Sequence, residues 1–439
     1  MKPVRLLLTC LLAIVAVLWF APSAWAFCGF YVSKADTKLY NQASQVIIAR
    51  DGKRTLLTMA NDYQGEVKDF AIVVPVPVLL QKEQIHIGDP KIIERLDAFS
   101  APRLVEYFDP NPCTPPMLYN GAPVPSSLPA ESAKDRQQRN ENTLGVTIEA
   151  RYTVGEYDIL ILGAKESDGL ETWLRQNGYR IPDGASRLLQ PYIRQKMKFF
   201  VAKVNLGEFE KTGFQSLRPL QMAYESPKFM LPIRLGMVNA QAEQDLIAYV
   251  LSPKGQTEVT NYRTVKIPSD SEIPLYVKDE FGDFYKSMFK TAYNREAKKV
   301  AFMEYTWDMA SCDPCSAEPL TQEELRKAGV FWLNPNTYNP VFITRLHVRY
   351  TRDKFPEDLM FQETSNREFF QGRYVLRHPF TGEMNCPAGR EYQRALVKRS
   401  EEQVQTLARL TGWNVSEIRK KAKLEPEKSV PWWRNVWPQ

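Results

Sequence analysis

Histidine is nearly missing from this chain: 3 residues in 439. His86, His347 and His378 stand far apart, and no H-x-x-x-H spacing or similar pattern joins them, so no histidine-built metal centre is expected. His347 alternates with Arg345 and Arg349 along "VFITRLHVRY", and this polar side of the strand is expected to face solvent. There is no G-x-S-x-G nucleophile elbow and no G-x-x-x-x-G-K phosphate loop, which lowers the expectation of an enzyme without closing it. Carboxylates are plentiful at 51, but a glycosidase-like pair converges from distant positions and no spacing marks one. Asp283, in "GDFY", reads as part of a solvated helix face. No cofactor and no metal are expected, and catalysis is not favoured.

What is present starts at the N-terminus. Lys2 and Arg5 precede an apolar run from Leu6 to Phe20, and Ala24-Trp25-Ala26 forms an A-x-A cleavage site. That is the pattern of a secretory signal peptide, residues 1–26, too short and wrongly flanked for a spanning helix. A retained anchor is the competing reading. Bulky Phe27 before Cys28 argues against a lipoprotein. No later apolar run is long enough to span a membrane, so the mature chain is read as exported, periplasmic or extracellular, and soluble. Removing Lys2 and Arg5 takes the net charge from +6 to +4. Residues 390–439 hold 11 Lys or Arg against 6 Asp or Glu, so the charge sits in the tail and the body is near neutral. A nucleic-acid reader would need a basic face on the body itself, and no nucleic-acid partner is expected.

Hydrophobic content of 44% and aromatic content of 12% suit a chain that buries a core. Residues 27–110 read as a β-rich module. "ASQVIIARDGKRTLLTMAND" is a hairpin turning at Asp51-Gly52. "DFAIVVPVPVLL" is a strand that should end, or lie at an edge, near Pro75 and Pro77. "DPKIIERLDAFSAPRLVEYF" looks helical, broken near Pro102. Residues 111–143 are a Pro/Ser-rich linker or long loop. Residues 144–389 form an α+β module. Val146, Ile148, Ala150, Tyr152 and Val154 alternate onto one strand face, and a helical hairpin around Trp173 and Pro191 follows. "KFFVAKVNL", "FMLPIRLGMV", "QDLIAYVLSP" and "EVTNYRTVKI" are strand candidates, and Thr321 with Glu324 makes a capping box. Segments 56–77 and 219–236 share an order that a duplicated hairpin, or chance, would explain. Residues 390–439 are a basic helical tail; "RLTGWNVSEIRKKA" has a helix-turn-helix look, but a plain helical hairpin suits an exported chain better. Trp432, Trp433 and Trp437 sit among basic residues at the very end, a composition that suits a membrane interface; docking on the body is the blander alternative.

Once Cys10 leaves with the signal, Cys28, Cys113, Cys312, Cys315 and Cys386 remain, and in an oxidising compartment pairing is the default. The count is odd, so one thiol is left over or pairs with another chain. Cys312-Asp-Pro-Cys315 follows a strand and precedes a helix, as in thioredoxin-like sites, but Ser311 stands where that family has Trp, and "SAEP" separates Cys315 from the helix start. A zinc site drawing on Cys113 and Cys386 is a further option. A structural bridge is preferred to both.

The stretches "CGFYVSKADTKLYNQASQVIIARDGKRTLLTMANDYQG", "DFAIVVPVP", "APRLVEYFDP", "VGEYDILIL" and "LETWLRQNGYRIP" together resemble the bacterial family called domain of unknown function 2330, over 27 to about 390. The resemblance implies an exported bacterial protein and carries no activity or functional residues with it. The fold class expected is α+β, with antiparallel sheets in two modules, helical hairpins and a helical C-terminal tail. Three functions follow from the residues. The first is a non-enzymatic exported protein that binds a partner, an envelope protein or a membrane surface through the Trp-rich tail. The others are a thiol-disulfide protein using Cys312 and Cys315, and a hydrolase with convergent carboxylates. Intact mass of the protein secreted by a bacterial host should correspond to a chain starting at Phe27; retention of residues 1–26 would support the anchor instead.

Overall fold

A computed structural model describes residues 30–33, 40–41, 44–60, 63–64, 70–114, 146–165, 167–177, 185–212, 217–238, 243–312, 317–334, 337 and 339–424. Residues 1–26, expected to be a signal peptide, Cys28, Cys315, Trp432, Trp433, Trp437 and most of the 111–143 segment lie outside them.

The first elements are β1 (Phe30–Ser33), β2 (Tyr40–Asn41), β3 (Ser44–Asp51), β4 (Arg54–Met59), β5 (Tyr63–Gln64), β6 (Phe70–Val76), β7 (Ile85–Ile87), α1 (Pro90–Ser100) and β8 (Arg103–Phe108). Then come β9 (Val146–Val154), β10 (Tyr157–Ala164), α2 (Ser167–Gln176), α3 (Ala185–Arg194), β11 (Lys198–Val204), α4 (Leu206–Thr212), β12 (Leu220–Glu225) and β13 (Met230–Leu231). The chain continues through β14 (Gln244–Ser252), β15 (Thr257–Val259), β16 (Arg263–Lys266), β17 (Ser271–Glu272), α5 (Phe281–Arg295), β18 (Val300–Asp308), α6 (Gln322–Lys327) and β19 (Phe342–Tyr350). It closes with β20 (Leu359–Glu363), β21 (Phe370–Gln371), β22 (Arg373–His378), α7 (Pro387–Thr411) and α8 (Val415–Lys421).

Four layers result, as the α+β composition requires. A nine-stranded sheet has the order β16-β18-β19-β14-β3-β4-β12-β7, with β21 on β18. A five-stranded sheet, β1-β6-β11-β10-β9, packs on one face of it. Val46, Ile48, Leu246 and Val250 from the first meet Ile72, Tyr157, Ile159 and Phe200 from the second. Helices α2 and α3 cover the outer face of the smaller sheet through Leu170, Leu174 and Leu189. On the far face of the large sheet, α1 and α6 cover Ile47, Ala49 and Leu251, while α5, α7 and α8 cover Phe302 and Val300.

The pairing is mostly antiparallel, but β3 runs parallel to β14. The N-terminal hairpin β3–β4 is thus inserted between strands of the later block, and the two blocks share one sheet. β3 and β14 carry apolar residues on both faces, which fits the centre of a doubly covered sheet. The hairpin turns on Gly52 and Lys53, with Asp51 opposite Arg54 and Gly52 at φ +60°. β6 carries Pro75 opposite Phe199 of β11 and ends one residue later, at Val76.

Four expectations are corrected. "RLVEYF" is strand β8, not helix: the Ala101–Pro102 step ends α1, and the chain pairs in parallel with β22. "FMLPIRLGMV" is strand only at Met230–Leu231 and then turns into a short 3-10 helix. In β9 the pairing skips Glu149, a bulge that turns the strand over. Val146 therefore joins the α2–α3 side, Ala150, Tyr152 and Val154 face the other sheet, and Ile148 is left exposed. Finally, neither 56–77 nor 219–236 is a hairpin: β4 and β12 pair with each other, while β6 and β13 belong to other sheets.

The tail forms a helix, a turn at Gly412 and a second helix. Val404, Leu407, Leu410 and Ile418 are buried against α5, and Trp413 Nε1 donates to Ser287 Oγ at 3.1 Å. Gly412 ends α7 at φ +76°, with no atom closer than 3.8 Å to an added Cβ. Gly412→Ala should therefore cost about 1 kcal/mol through backbone strain alone, read as a lower urea midpoint; an unchanged midpoint would contradict the cap.

Candidate functional site

The densest ionisable cluster lies between the large sheet and its helices. Its centre is Glu304, 1% exposed, on β18. The β18–β19 register passes from Met303↔Leu346 to Tyr305↔Arg345, so Glu304 is the extra residue of a bulge. Without the bulge, alternation would send Tyr305 away from the helices. With it, Phe302 meets Phe289, Glu304 meets Tyr285 and Tyr305 meets Phe99, all on the helical side.

Around Glu304 the partners come from four elements. Arg345 Nε donates to Glu304 Oε2 at 2.6 Å, and His347 Nδ1 lies 2.7 Å from Oε1. The hydroxyl of Tyr285 on α5 donates to the same Oε1. On its other side His347 Nε2 lies 3.1 Å from Asp245 Oδ1 on β14, and Arg349 grips Asp245 with two bonds of 2.8 Å. Arg345 Nη1 also donates to Asp97 Oδ1 on α1 at 2.7 Å, and that oxygen accepts from Tyr249 at 2.8 Å. Phe289 closes the cluster, its ring stacked 4.0 Å from the His347 imidazole.

The expectation that His347 faces solvent is overturned. The polar side of β19 faces inward, because α1 and α5 bring Asp97 and Tyr285 to meet it and β18 supplies Glu304. Burial alone would lower the histidine pKa, but the carboxylates of Glu304 and Asp245 outweigh it and raise it to about 9. Burial likewise opposes the Glu304 charge, yet His347, Arg345 and the Tyr285 hydroxyl bring its pKa down to about 2. Asp245 is held well below the carboxylate range by His347 and Arg349 against its own burial. Three carboxylates, Asp97, Asp245 and Glu304, thus face three cations, Arg345, His347 and Arg349.

Such a cluster is poorly suited to acid–base work. A base needs a pKa near the working pH and reach to a substrate proton; here Glu304 and Asp245 are each held by two cations, the partly exposed Asp97 is paired with Arg345, and His347 is held as imidazolium. Nor does it suit a metal, since two guanidinium groups occupy the oxygens a cation would need. Among the described residues no group of three or more His, Cys, Asp and Glu could hold a metal ion.

A second buried carboxylate, Asp358, accepts from Tyr192 at 2.7 Å and from the Ile233 and Arg234 amides at 3.0 and 3.1 Å. It ties α3 to β20. Burial raises its pKa, opposed by Tyr192 and Arg234.

Cysteines are placed away from both clusters. Cys113 and Cys386 form a disulfide across 273 residues, with Cα atoms 5.9 Å apart; this pairing replaces the zinc option that drew on them. Cys312 is also disulfide-bonded, with a partner outside the described residues, and it packs against the α1–α6 core. The next helix, α6, begins ten residues later at Gln322, capped by Thr321 and Glu324. His86 lies 3.0 Å from the Glu83 carbonyl, His378 pairs with Glu106 at 2.8 Å, and Asp283 is exposed on α5.

The sequence model of a bacterial family, described as an uncharacterized protein conserved in bacteria (domain of unknown function 2330), matches residues 22–362. The chain belongs to this family. No curated protein and no solved structure matches it. The match covers the ion cluster whole and stops within β20, so β21, β22, α7 and α8 lie beyond it. Domain of unknown function 2330 thus supplies Cys113, while its bridge partner Cys386 comes from the C-terminal addition.

The cluster predicts a pH profile. His347, raised above its ordinary 6.5, stabilises the fold fully below pH 6.5 and loses that contribution as pH climbs through about 9. Glu304, depressed from 4.5, contributes above pH 4.5 and loses it as pH falls toward 2. Unfolding free energy should therefore be greatest near pH 4.5–6.5 and fall by about 3 kcal/mol toward pH 9, and His347→Gln should remove that alkaline slope. Glu304→Gln should cost about 3–5 kcal/mol, because it leaves buried cations unpaired. A flat profile in urea denaturation between pH 6.5 and 9 would contradict this.

Proposed function

We propose that this member of the family is an exported protein of the bacterial envelope that works by binding rather than by catalysis. The observation that carries the export reading is the Cys113–Cys386 disulfide, which joins the body to the C-terminal helices and requires an oxidising compartment to persist. The N-terminal secretory pattern supports the same location. The binding reading is supported by the closed, charge-balanced state of the strongest ionisable cluster. Among the described residues no helix is long and apolar enough to cross a membrane, so contact with a bilayer would be peripheral.

The C-terminal helices are the part best placed to make that contact. α7 and α8 dock on α5 through Val404, Leu407, Leu410 and Ile418, and Leu424, the last described residue, packs against the same cluster. The basic stretch with Trp432, Trp433 and Trp437 follows directly. Aromatic rings at the headgroup level combined with Lys428 and Arg434 suit an anionic bilayer surface. The Cys312 and Cys315 redox reading is less well supported, since Cys312 packs on an apolar core and not at a helix start.

Co-sedimentation with anionic phosphatidylglycerol vesicles tests the membrane contact on the mature chain and on a form ending at residue 424. The full mature chain should sediment with vesicles at low salt, and the shortened one should stay in solution with an unchanged melting temperature. Equal binding by both would sink the role of the tail. Recovery of a fully reduced, uncleaved chain from the cytosol would sink the export reading.

A further inference from the structure

The Cys113–Cys386 bridge is not a buried staple. Cys113 is exposed, in the loop after β8, where its amide donates to Asn111 Oδ1 at 2.9 Å. Cys386 is the N-cap of α7, and its Sγ accepts a hydrogen bond from the Gly389 amide at 3.1 Å. The first N–H groups of a 25-residue helix have no partner within it, and a sulfur set against them is stabilised as thiolate.

The helix is also unevenly held. In its second half Val404, Leu407, Leu410 and Thr411 are buried, whereas Gly389 is the one buried residue of its first half. Val397, near the middle, is 73% exposed. What ties the first half to the body is the bridge together with a few polar contacts: Asp109 Oδ2 accepts from Tyr392 Oη at 2.5 Å and Arg399 Nη2 at 2.6 Å, and the Phe380 amide donates to Tyr392 Oη at 2.9 Å. Segments with so little buried apolar surface open at low free-energy cost.

We propose that Cys113–Cys386 is an exchangeable disulfide, a redox latch on the first half of α7. The reductant is an exported dithiol. Its thiolate attacks the exposed Cys113 Sγ. The S–S bond breaks, and its electron pair leaves on Cys386 Sγ as a thiolate held by the Gly389 N–H. A mixed disulfide now joins Cys113 to the dithiol. The dithiol's second thiolate closes on its own bridged sulfur, expelling Cys113 as a thiolate that takes up a proton. Two electrons have passed: the bridge is reduced and the dithiol becomes its disulfide. Asp109 keeps the separated sulfurs close, so an oxidant of the same class can restore the bond. The inference does not depend on the binding reading.

The test uses the oxidised mature chain exposed to reduced glutathione under native conditions, quenched in acid, alkylated and mapped by mass spectrometry. The bridge should open while the Cys312 disulfide stays closed, with glutathione on Cys113 and Cys386 recovered as the free thiol. Hydrogen exchange should rise over 387–398 and stay low over 404–411. In single variants at neutral pH, Cys386 of Cys113→Ser should react with iodoacetamide at least about fivefold faster than Cys113 of Cys386→Ser. A bridge that resists glutathione until the protein unfolds would overturn the proposal. So would glutathione found on Cys386, or equal reactivity of the two free thiols. The wild-type mapping decides by itself if a variant fails to fold.

Discussion

Glu304 is a full negative charge at the centre of a 439-residue protein, and the layers around it are arranged to keep it there. An isolated buried carboxylate is too costly to persist, so it must be neutralised or paired. Here it is paired, by Arg345 and His347 on the adjacent strand and by the Tyr285 hydroxyl from the covering helix. Each cation brings a second acid, Asp97 on α1 and Asp245 on β14, so the cluster stitches two helices to three strands. The stitching has a directional value that apolar packing lacks: sliding α5 by one turn along the sheet would strand Tyr285 and Phe289 away from Glu304 and His347.

The other constraint is the placement of the β3–β4 hairpin. By pairing in parallel with β14, it joins the first and later blocks into one sheet and gives the five-stranded sheet a continuous surface to pack on. Neither block could form this core by itself, since Val46 and Ile48 sit beside Leu246 and Val250 in one cluster. The C-terminal addition relates differently. It covers a face of that body with α7 and α8 and is joined to it covalently at Cys113 and by Asp109. The family-matched core and the C-terminal helices are thus two covalently joined parts of one body.

Local features were legible in the residues. The Asp51-Gly52 turn, the Thr321 capping box, the strand ending near Pro75 and the helical hairpin in the tail all follow from short-range chemistry, and each is present. The cluster was not legible, for two reasons. Its members come from positions 97, 245, 285, 304, 345, 347 and 349, so convergence in space left no spacing to read. The alternation of Arg345, His347 and Arg349 also looks the same whether water or a set of buried acids lies opposite. One signal was available: Glu304 interrupts the apolar run "VAFMEYTW", and a lone carboxylate there implies buried partners. The bulge at Glu149 defeated the face assignment of β9, since one inserted residue reverses every side chain beyond it.

The charge on His347 decides between a structural keystone and an acid–base centre. Nitrogen-15 NMR of histidine-labelled protein, with the His347 signal assigned through His347→Gln, reports that charge directly. The account predicts an imidazolium through neutral pH that loses its proton near pH 9. A His347 that is neutral at pH 7 would contradict it, and would return this buried cluster to consideration as a catalytic one.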